Sequence, residues 1–116
     1  MQIFQLDSLK QDRQTIGSPY REFLRVADMS AGLYHLEPGN PDPQGAHAED
    51  VLFYVMAGAA TLQVGDDTVE VSAGSVVHIP KRVAPRFTAV HAAIDVLVVF
   101  SPAESAPTLP EHMTAG

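Results

Sequence analysis

Short apolar runs separated by glycine and proline are the feature that most constrains this sequence. Two of them stand out, VLFYVMAG ending at Gly58 and AGSVVHIP ending at Pro80. Between them lies Gly65-Asp66-Asp67, a turn signal typical of β-hairpins. The runs show no helical period of about 3.6 residues, and proline ends a strand because it cannot donate a backbone hydrogen bond. Many short strands at regular spacing predict an all-β sandwich or barrel.

The same criteria set the expected bounds of each strand. We expect a turn at Ala92-Ala93 before the last strand, and an edge strand or arm around Ile3-Phe4 and Leu6. A continuous apolar run bounded by polar residues is typical of a strand that is covered on both faces. The predicted strands comprise residues 23–26, 32–36, 51–56, 61–64, 69–71, 76–79, 84–89 and 94–100.

Composition limits both the size of the fold and its partners. The 116 residues, of which 46% are hydrophobic and 18% charged, suffice for one apolar core but not for two. A net charge of −7 argues against a nucleic-acid partner, because binding a phosphate backbone needs a broad Lys/Arg surface. The chain has no Cys for a disulfide framework, and no apolar run long enough to span a bilayer. Without the apolar core of a secretory signal, a cytoplasmic protein is the simplest expectation.

The positions of glycine and proline also indicate how the chain is divided into an arm, a barrel and a tail. Gly17-Ser18-Pro19 marks a break, so we expect an N-terminal arm at residues 1–19 and a barrel at residues 20–101. After Ser101 the sequence is dominated by Pro, Ala, Ser and Thr, which predicts a flexible C-terminal tail at residues 102–116.

In their order and spacing, the two apolar runs resemble the two sequence motifs of the cupin family. LFYVMAG is similar to the strand and glycine that end the first cupin motif, and AGSVVHIP to the glycine, strand and proline that open the second. The resemblance implies a small antiparallel jelly-roll β-barrel over residues 20–101. It also implies an interior site, since family members usually hold a metal ion on three histidines and one glutamate.

The metal-binding half of that resemblance is largely missing. Aligned on the motif glycines, the first histidine position holds Gly45 and the glutamate position holds Val51. The last histidine position holds Pro85, so His47 alone matches a ligand. Metal sites generally need at least three protein ligands. We therefore expect no cofactor, and no divalent transition metal held tightly at this position; if a metal did bind, His47 would be its ligand.

His47 and Glu49 are the candidate catalytic pair. The resemblance implies that His47 points into the barrel. Residues two apart in an extended strand share a face, so Glu49 would lie beside His47 and orient it or join it in acid–base chemistry. The alternatives are that His47 is a relic hydrogen-bonded inside the barrel, and that Glu49 belongs to a solvated acidic pair with Asp50.

Four other residues are candidates for contact with a ligand inside the barrel. Val51 and Phe53 would line a dry interior, because a carboxylate at residue 51 would be costly to bury without a partner, and Phe87 belongs to the same set. The resemblance to small cupins with a Gln-x-x-His stretch implies that Gln44 approaches the pocket. A glutamine on a solvent-facing loop is the alternative.

Two further histidines and one arginine complete the candidate ligand-binding set. His35 and His78 either point into the barrel or lie on the outer face of the sheet. Arg82 stands where the second cupin motif has glycine, in a cationic group with Lys81 and Arg86. Its guanidinium would suit a carboxylate or phosphate on a small ligand; the alternative is an exposed group that pairs with acidic residues.

Two functional hypotheses of different classes follow. In the first, the protein is a metal-independent cupin enzyme that catalyses proton transfer (isomerisation, dehydration or cyclisation) on a small organic substrate. In the second, it is a non-catalytic ligand-binding or structural homodimer. Leu52, Tyr54 and Met56 form an apolar row opposite the interior face, and such rows usually mark interfaces. A metal-dependent oxygenase with a rearranged site is a third hypothesis, which the missing ligands disfavour.

Overall fold

Antiparallel pairing connects all the strands that the structure describes. The computed structural model describes residues 1–40, 42 and 44–105. Within those residues the strand order is β1-β2-β6-β3-β4, and β5 pairs with β3. The elements are α1 (Leu6–Ile16), β1 (Tyr20–Val26), β2 (Met29–Leu36), β3 (Asp50–Val64), β4 (Asp67–Ser72), β5 (Val76–Ile79) and β6 (Pro85–Ser101). The predicted all-β, cupin-type jelly-roll barrel is confirmed.

Two long bent strands replace four of the predicted short ones. β3 and β6 pair along almost their whole lengths, with register shifts where β3 passes through Ala57 to Leu62. Gly58 has φ 88°, and a side chain there would collide with the carbonyl oxygen of Ala93. The expected turn at Ala92-Ala93 is therefore wrong, because this segment stays in β6 and the chain bends there through bulges.

The two faces of β3 differ in burial, and only the inner face is covered within the described chain, so the continuous apolar run is not covered on both faces as expected. Val51, Phe53 and Val55 are buried on the inner face, whereas Leu52 and Tyr54 are 41% and 42% exposed on the outer face. The inner faces of β2, β3, β4, β5 and β6 together form one apolar core. It comprises Tyr34, Leu36, Val51, Phe53, Val55, Ala60, Leu62, Val71, Ile79, Phe87, Ile94, Val96, Val98 and Phe100.

A helix occupies the N-terminal segment, where an edge strand or arm was expected. α1 ends at Gly17, which has φ 71° and donates its N–H to the carbonyls of Arg13 and Gln14, a common helix C-cap. Asp7 in the first turn and Arg13 in the last favour the helix through its dipole. The edge-strand alternative is therefore wrong, whereas an N-terminal arm stays a prediction; the helical period was missed because Leu6, Leu9 and Ile16 are the only apolar residues of α1 and none of them is buried. No helix in the described ranges is long and apolar enough to cross a membrane.

The residues that follow β6 turn back onto the barrel. Glu104 is buried, and its N–H donates to Ser30 Oγ at 2.9 Å. Ser105 donates its N–H to Glu49 Oε2 at 3.0 Å. Residues 102–105 are therefore not the loosely held start of a tail, and the remainder of the predicted tail, residues 106–116, lies outside the described residues. The proposed division at residues 19 and 101 stays a prediction.

Candidate functional site

His47 lies deep in the barrel, at the end of the loop that joins β2 to β3. Its ring packs edge-on against Phe100 of β6, with the ring centroids 5.0 Å apart. The N–H of Arg82 donates to the His47 carbonyl oxygen at 2.7 Å. Contacts to β6 and to the turn after β5 thus hold the side chain and the backbone of His47.

The imidazole of His47 is buried, and the part of the chain that the structure describes provides no hydrogen bond to it. Its side chain is 1% exposed, and neither ring nitrogen has a hydrogen-bond partner among the described residues. Burial lowers the pKa of His47, while the negative charges of Glu49 and Asp42 act in the opposite direction. Since burial is the larger effect, His47 is a neutral imidazole at neutral pH.

Glu49 lies close enough to His47 to act on its charge, as the sequence predicted. It is buried, and its Oε2 accepts the N–H of Ser105. The two predicted catalytic side chains therefore occupy one region of the barrel, and Glu49 is not part of a solvated acidic pair. Their catalytic roles remain predictions.

Asp42 is a buried carboxylate that the sequence analysis did not single out. Its Oδ1 accepts the Tyr34 hydroxyl at 2.5 Å, and its Oδ2 accepts the N–H of Phe87 at 2.7 Å. Burial, together with the charge of Asp42, raises the pKa of Tyr34 above its ordinary value. Asp42 thereby ties the loop to both β2 and β6. In the sequence, a single Asp between two prolines is typical of an exposed loop, so no local pattern predicted that Asp42 would be buried and hydrogen-bonded to two strands.

Gln44 contacts Asp42 and not the interior of the barrel. Its side-chain nitrogen lies 3.2 Å from each Asp42 carboxylate oxygen, and its backbone N–H donates to Oδ1 at 3.3 Å. The side-chain amide of Gln44 therefore supports the Asp42 network, and its contact with a ligand stays a prediction.

Apolar side chains occupy the predicted inner wall. Phe53 and Phe87 stack with their ring centroids 5.7 Å apart and their planes 13° from parallel. Val51 and Pro85, which stand at two of the metal-ligand positions implied by the resemblance, are fully buried. The wall beside His47 is accordingly dry and aromatic.

Three candidate residues lie outside the barrel. His35 contacts Asp95 at 2.7 Å and Glu37 at 2.5 Å on the outer face, and the side chain of His78 is 60% exposed. Of the two alternatives for these histidines, the outer-face alternative is correct, because each alternates with a residue buried in the core. Arg82 is exposed at the turn after β5, so contact of its guanidinium with a ligand stays a prediction.

Tyr20 and Glu104 are additional polar groups of the interior that the sequence analysis missed. The hydroxyl of Tyr20 is buried without a hydrogen-bond partner among the described residues. Burial, followed by the charges of Glu104 and Glu22, raises the pKa of Tyr20 above its ordinary value. A side chain at Gly32 would collide with the Tyr20 ring, so that glycine provides the space for it.

The residues present do not fit the metal ion that a typical cupin holds. The part of the chain that the structure describes contains no group of three or more His, Cys, Asp or Glu side chains arranged to hold a metal. At the usual ligand positions, Val51 and Pro85 offer no donor atoms, and Gly45 has no side chain. The expectation that no transition metal binds tightly at this position stays a prediction.

The fold and site define a small jelly-roll barrel with a buried imidazole in its interior. The family profile described as cupin domain matches residues 32–102. The chain therefore belongs to the cupin family, as its two motifs predicted.

Similar proteins agree with this assignment. An uncharacterized protein of Streptomyces coelicolor, SCO3923, is 44% identical over 105 residues, which cover 90% of this chain and 100% of that protein. An RmlC-like cupin with a double-stranded β-helix fold from Methanocaldococcus jannaschii has a TM-score of 0.68 at 17% identity, with 86% of this chain and 87% of that one covered. KdgF from a Halomonas species has a TM-score of 0.65 at 20% identity, with 74% and 79% covered. At these identities the two solved structures support the fold alone.

Proposed function

We propose that the protein binds a small organic molecule inside the barrel and transfers a proton on it, with His47 as the acid–base group and without a metal ion at the usual position. The observation that carries this proposal is the buried, neutral His47 ring, whose two nitrogens have no partner among the described residues. A buried polar group without a hydrogen bond costs about 1–3 kcal/mol. A ligand that bonds to the ring would offset that cost.

The surroundings of His47 suit proton transfer. A neutral imidazole accepts a proton at one nitrogen and donates at the other. When the ring takes a proton, the charges of Glu49 and Asp42 stabilise the imidazolium that forms, as their effect on its pKa shows. Isomerisation, dehydration and cyclisation are the reaction classes that need no more than this.

The wall and the mouth of the barrel indicate the kind of ligand. Phe53, Phe87 and Phe100 provide flat apolar surfaces near the His47 loop. Arg82 binds the His47 backbone through its own backbone and leaves its guanidinium exposed beside that loop. We therefore expect a ligand with an apolar or planar body and an acidic group directed towards the mouth.

One observation favours the second functional class, a non-catalytic ligand-binding or structural cupin. Phe53, Phe87 and Phe100 are each at most 4% exposed, so apolar side chains fill much of the interior. In this alternative the outer face carries the function, as the interface of a homodimer. Leu52 and Tyr54 supply exposed apolar surface for it, and Val76 extends that surface.

Ligand binding and exchange of substrate hydrogen with solvent would separate the two classes. A panel of small carbonyl compounds and organic acids would be screened by thermal shift, and the binders incubated in D₂O and followed by proton NMR. We expect His47→Ala to slow deuterium incorporation at least about 100-fold, the usual loss on removing an acid–base group. His91→Ala is the matched control, because His91 lies on the surface with Thr61 and Glu70.

The same screen can reject the proposal. If His47→Ala exchanges deuterium at the wild-type rate, His47 is not the acid–base group. If wild type and His47→Ala show the same thermal response to every compound, the non-catalytic hypothesis replaces this one. Ultracentrifugation of wild type and Tyr54→Asp would then test the homodimer.

A further inference from the structure

The backbone of Glu104 is fixed at the barrel by contacts on several sides. Its N–H donates to Ser30 Oγ at 2.9 Å, and its carbonyl accepts from the Arg25 guanidinium at 2.9 Å. The next residue, Ser105, donates its N–H to Glu49 Oε2. Ser30 lies in β2, Arg25 in β1 and Glu49 just before β3, so three separate parts of the chain fix the position of the Glu104 backbone.

The Glu104 side chain points towards the His47 ring. Its Oε2 lies 3.9 Å from His47 Nδ1, and the two side chains are 5% and 1% exposed. That distance is about 1 Å too long for a hydrogen bond. The pair is shielded from solvent, and a displacement of about 1 Å would bring the two atoms within hydrogen-bond distance.

We infer that Glu104 is the positioning residue of the site, a carboxylate that accepts the Nδ1–H of His47 and leaves Nε2 free to face the ligand. An ionised carboxylate has no proton to donate, so a hydrogen bond between the two groups requires the proton on Nδ1. Nε2 is then the unprotonated nitrogen. The position of the proton on Nδ1 follows from the pairing alone, whereas its use in catalysis rests on the proposed function.

Glu104 also acts on Tyr20, whose hydroxyl has no hydrogen-bond partner among the described residues. Its charge contributes to the raised pKa of the Tyr20 phenol. A Tyr20 that keeps its proton remains a hydrogen-bond donor. The same carboxylate therefore favours a proton acceptor at His47 Nε2 and a proton donor at Tyr20.

Comparison with the family does not reveal this residue. The cupin profile ends at residue 102, before Glu104 is reached. Within the profile, the position that usually carries the glutamate holds Val51. The carboxylate that we infer to orient the His47 ring comes instead from the segment that follows the last strand.

The tautomer of His47 tests the pairing without any knowledge of the ligand. Long-range proton–nitrogen NMR on the full-length ¹⁵N-labelled protein reports which ring nitrogen carries the proton. We expect Nδ1–H in wild type and a shift towards Nε2–H in Glu104→Leu. Glu70→Leu is the matched control, because Glu70 contacts the exposed His91 at 3.1 Å and should alter the signals of His91 alone.

Each outcome decides the inference. A wild-type His47 that carries its proton on Nε2 overturns it, and so does a folded Glu104→Leu variant with an unchanged tautomer. The wild-type spectrum alone is decisive if Glu104→Leu does not fold. The expected tautomers together with normal exchange in His47→Ala would retain the pairing and reject the proposed function. If Glu104→Leu leaves the tautomer unchanged while His47→Ala loses deuterium exchange, the pairing is rejected and the proposed function is retained.

Discussion

Asp42 and His47 belong to the same loop between β2 and β3, and both are buried, but they differ in how their polar atoms are satisfied. Both carboxylate oxygens of Asp42 accept hydrogen bonds, from the Tyr34 hydroxyl and the Phe87 N–H among others. Neither nitrogen of His47 has a partner among the described residues. Asp42 thus has the contacts of a group that holds the loop in place. The ring nitrogens of His47 have no such contacts among the described residues, as the proposed role in ligand binding requires.

Replacing Asp42 should have the largest effect. Asp42→Ala leaves the Tyr34 hydroxyl and the Phe87 N–H buried without an acceptor, and we expect the free energy of unfolding to fall by about 3 kcal/mol. Urea denaturation followed by circular dichroism would measure the change. Asp66→Ala, in the exposed turn after β3, is the control and should alter stability little. A loss no greater than that of the control would remove the distinction between the two loop residues.

Replacing His47 should change stability in the opposite direction. His47→Leu removes Nε2, which has no hydrogen-bond partner among the described residues, and keeps a side chain of similar size. Loss of the 3.9 Å contact between Nδ1 and Glu104 offsets part of this gain, so we expect the free energy of unfolding to rise by at most about 1 kcal/mol. Ligand-dependent thermal shifts should disappear in the same variant. A large destabilisation would show instead that His47 is a structural relic with partners of its own.

The pH dependence of that variant sharpens the test. Burial holds the pKa of native His47 below the ordinary value of 6.5. As the pH falls through about 6.5, the unfolded chain therefore takes up a proton that the native state does not, and wild type loses stability. His47→Leu lacks this loss, so its advantage over wild type should grow between about pH 7.5 and about pH 5.5. A constant difference across this range would contradict the buried, neutral state of His47.

Replacing Arg82 should have the smallest effect. Arg82 has φ 68°, a left-handed conformation that favours glycine, and its N–H donates to the His47 carbonyl. We expect Arg82→Gly to gain about 0.5 kcal/mol, because relief of backbone strain slightly exceeds the entropy that glycine loses on folding. Lys81→Gly is the control and should lose stability, since Lys81 is not in the left-handed region. If Arg82→Gly is instead less stable than wild type, its side chain contributes contacts that outweigh the strain.

The sequence predicted the barrel well because strand periodicity and turn glycines are local properties. Gly58 and Pro80 identified the cupin scaffold, and the alternation from Val51 to Met56 assigned the two faces of β3. The two bent strands were missed because bulges keep each strand continuous through segments whose small residues, such as Ala92-Ala93, predict a turn. The helix at residues 6–16 was missed because it buries no face.

The site was predicted only in part, since its polar groups meet through the fold and not through sequence spacing. His47 and Glu49 were found because the cupin resemblance and the two-residue period of a strand both point to them. Asp42 and Glu104 were not found, because their partners are distant in sequence: Phe87 for Asp42, and Ser30 and His47 for Glu104.

The turn at Arg82 separates two properties that many binding sites couple. The backbone N–H of this residue holds the His47 carbonyl, while its side chain is exposed beside the His47 loop. Any residue that tolerates the left-handed conformation, such as Gly or Asn, would preserve the first property. If the protein binds a ligand as proposed, substitution at this one position would change the charge beside the His47 loop without moving the imidazole, so ligand selectivity could be altered independently of the acid–base group.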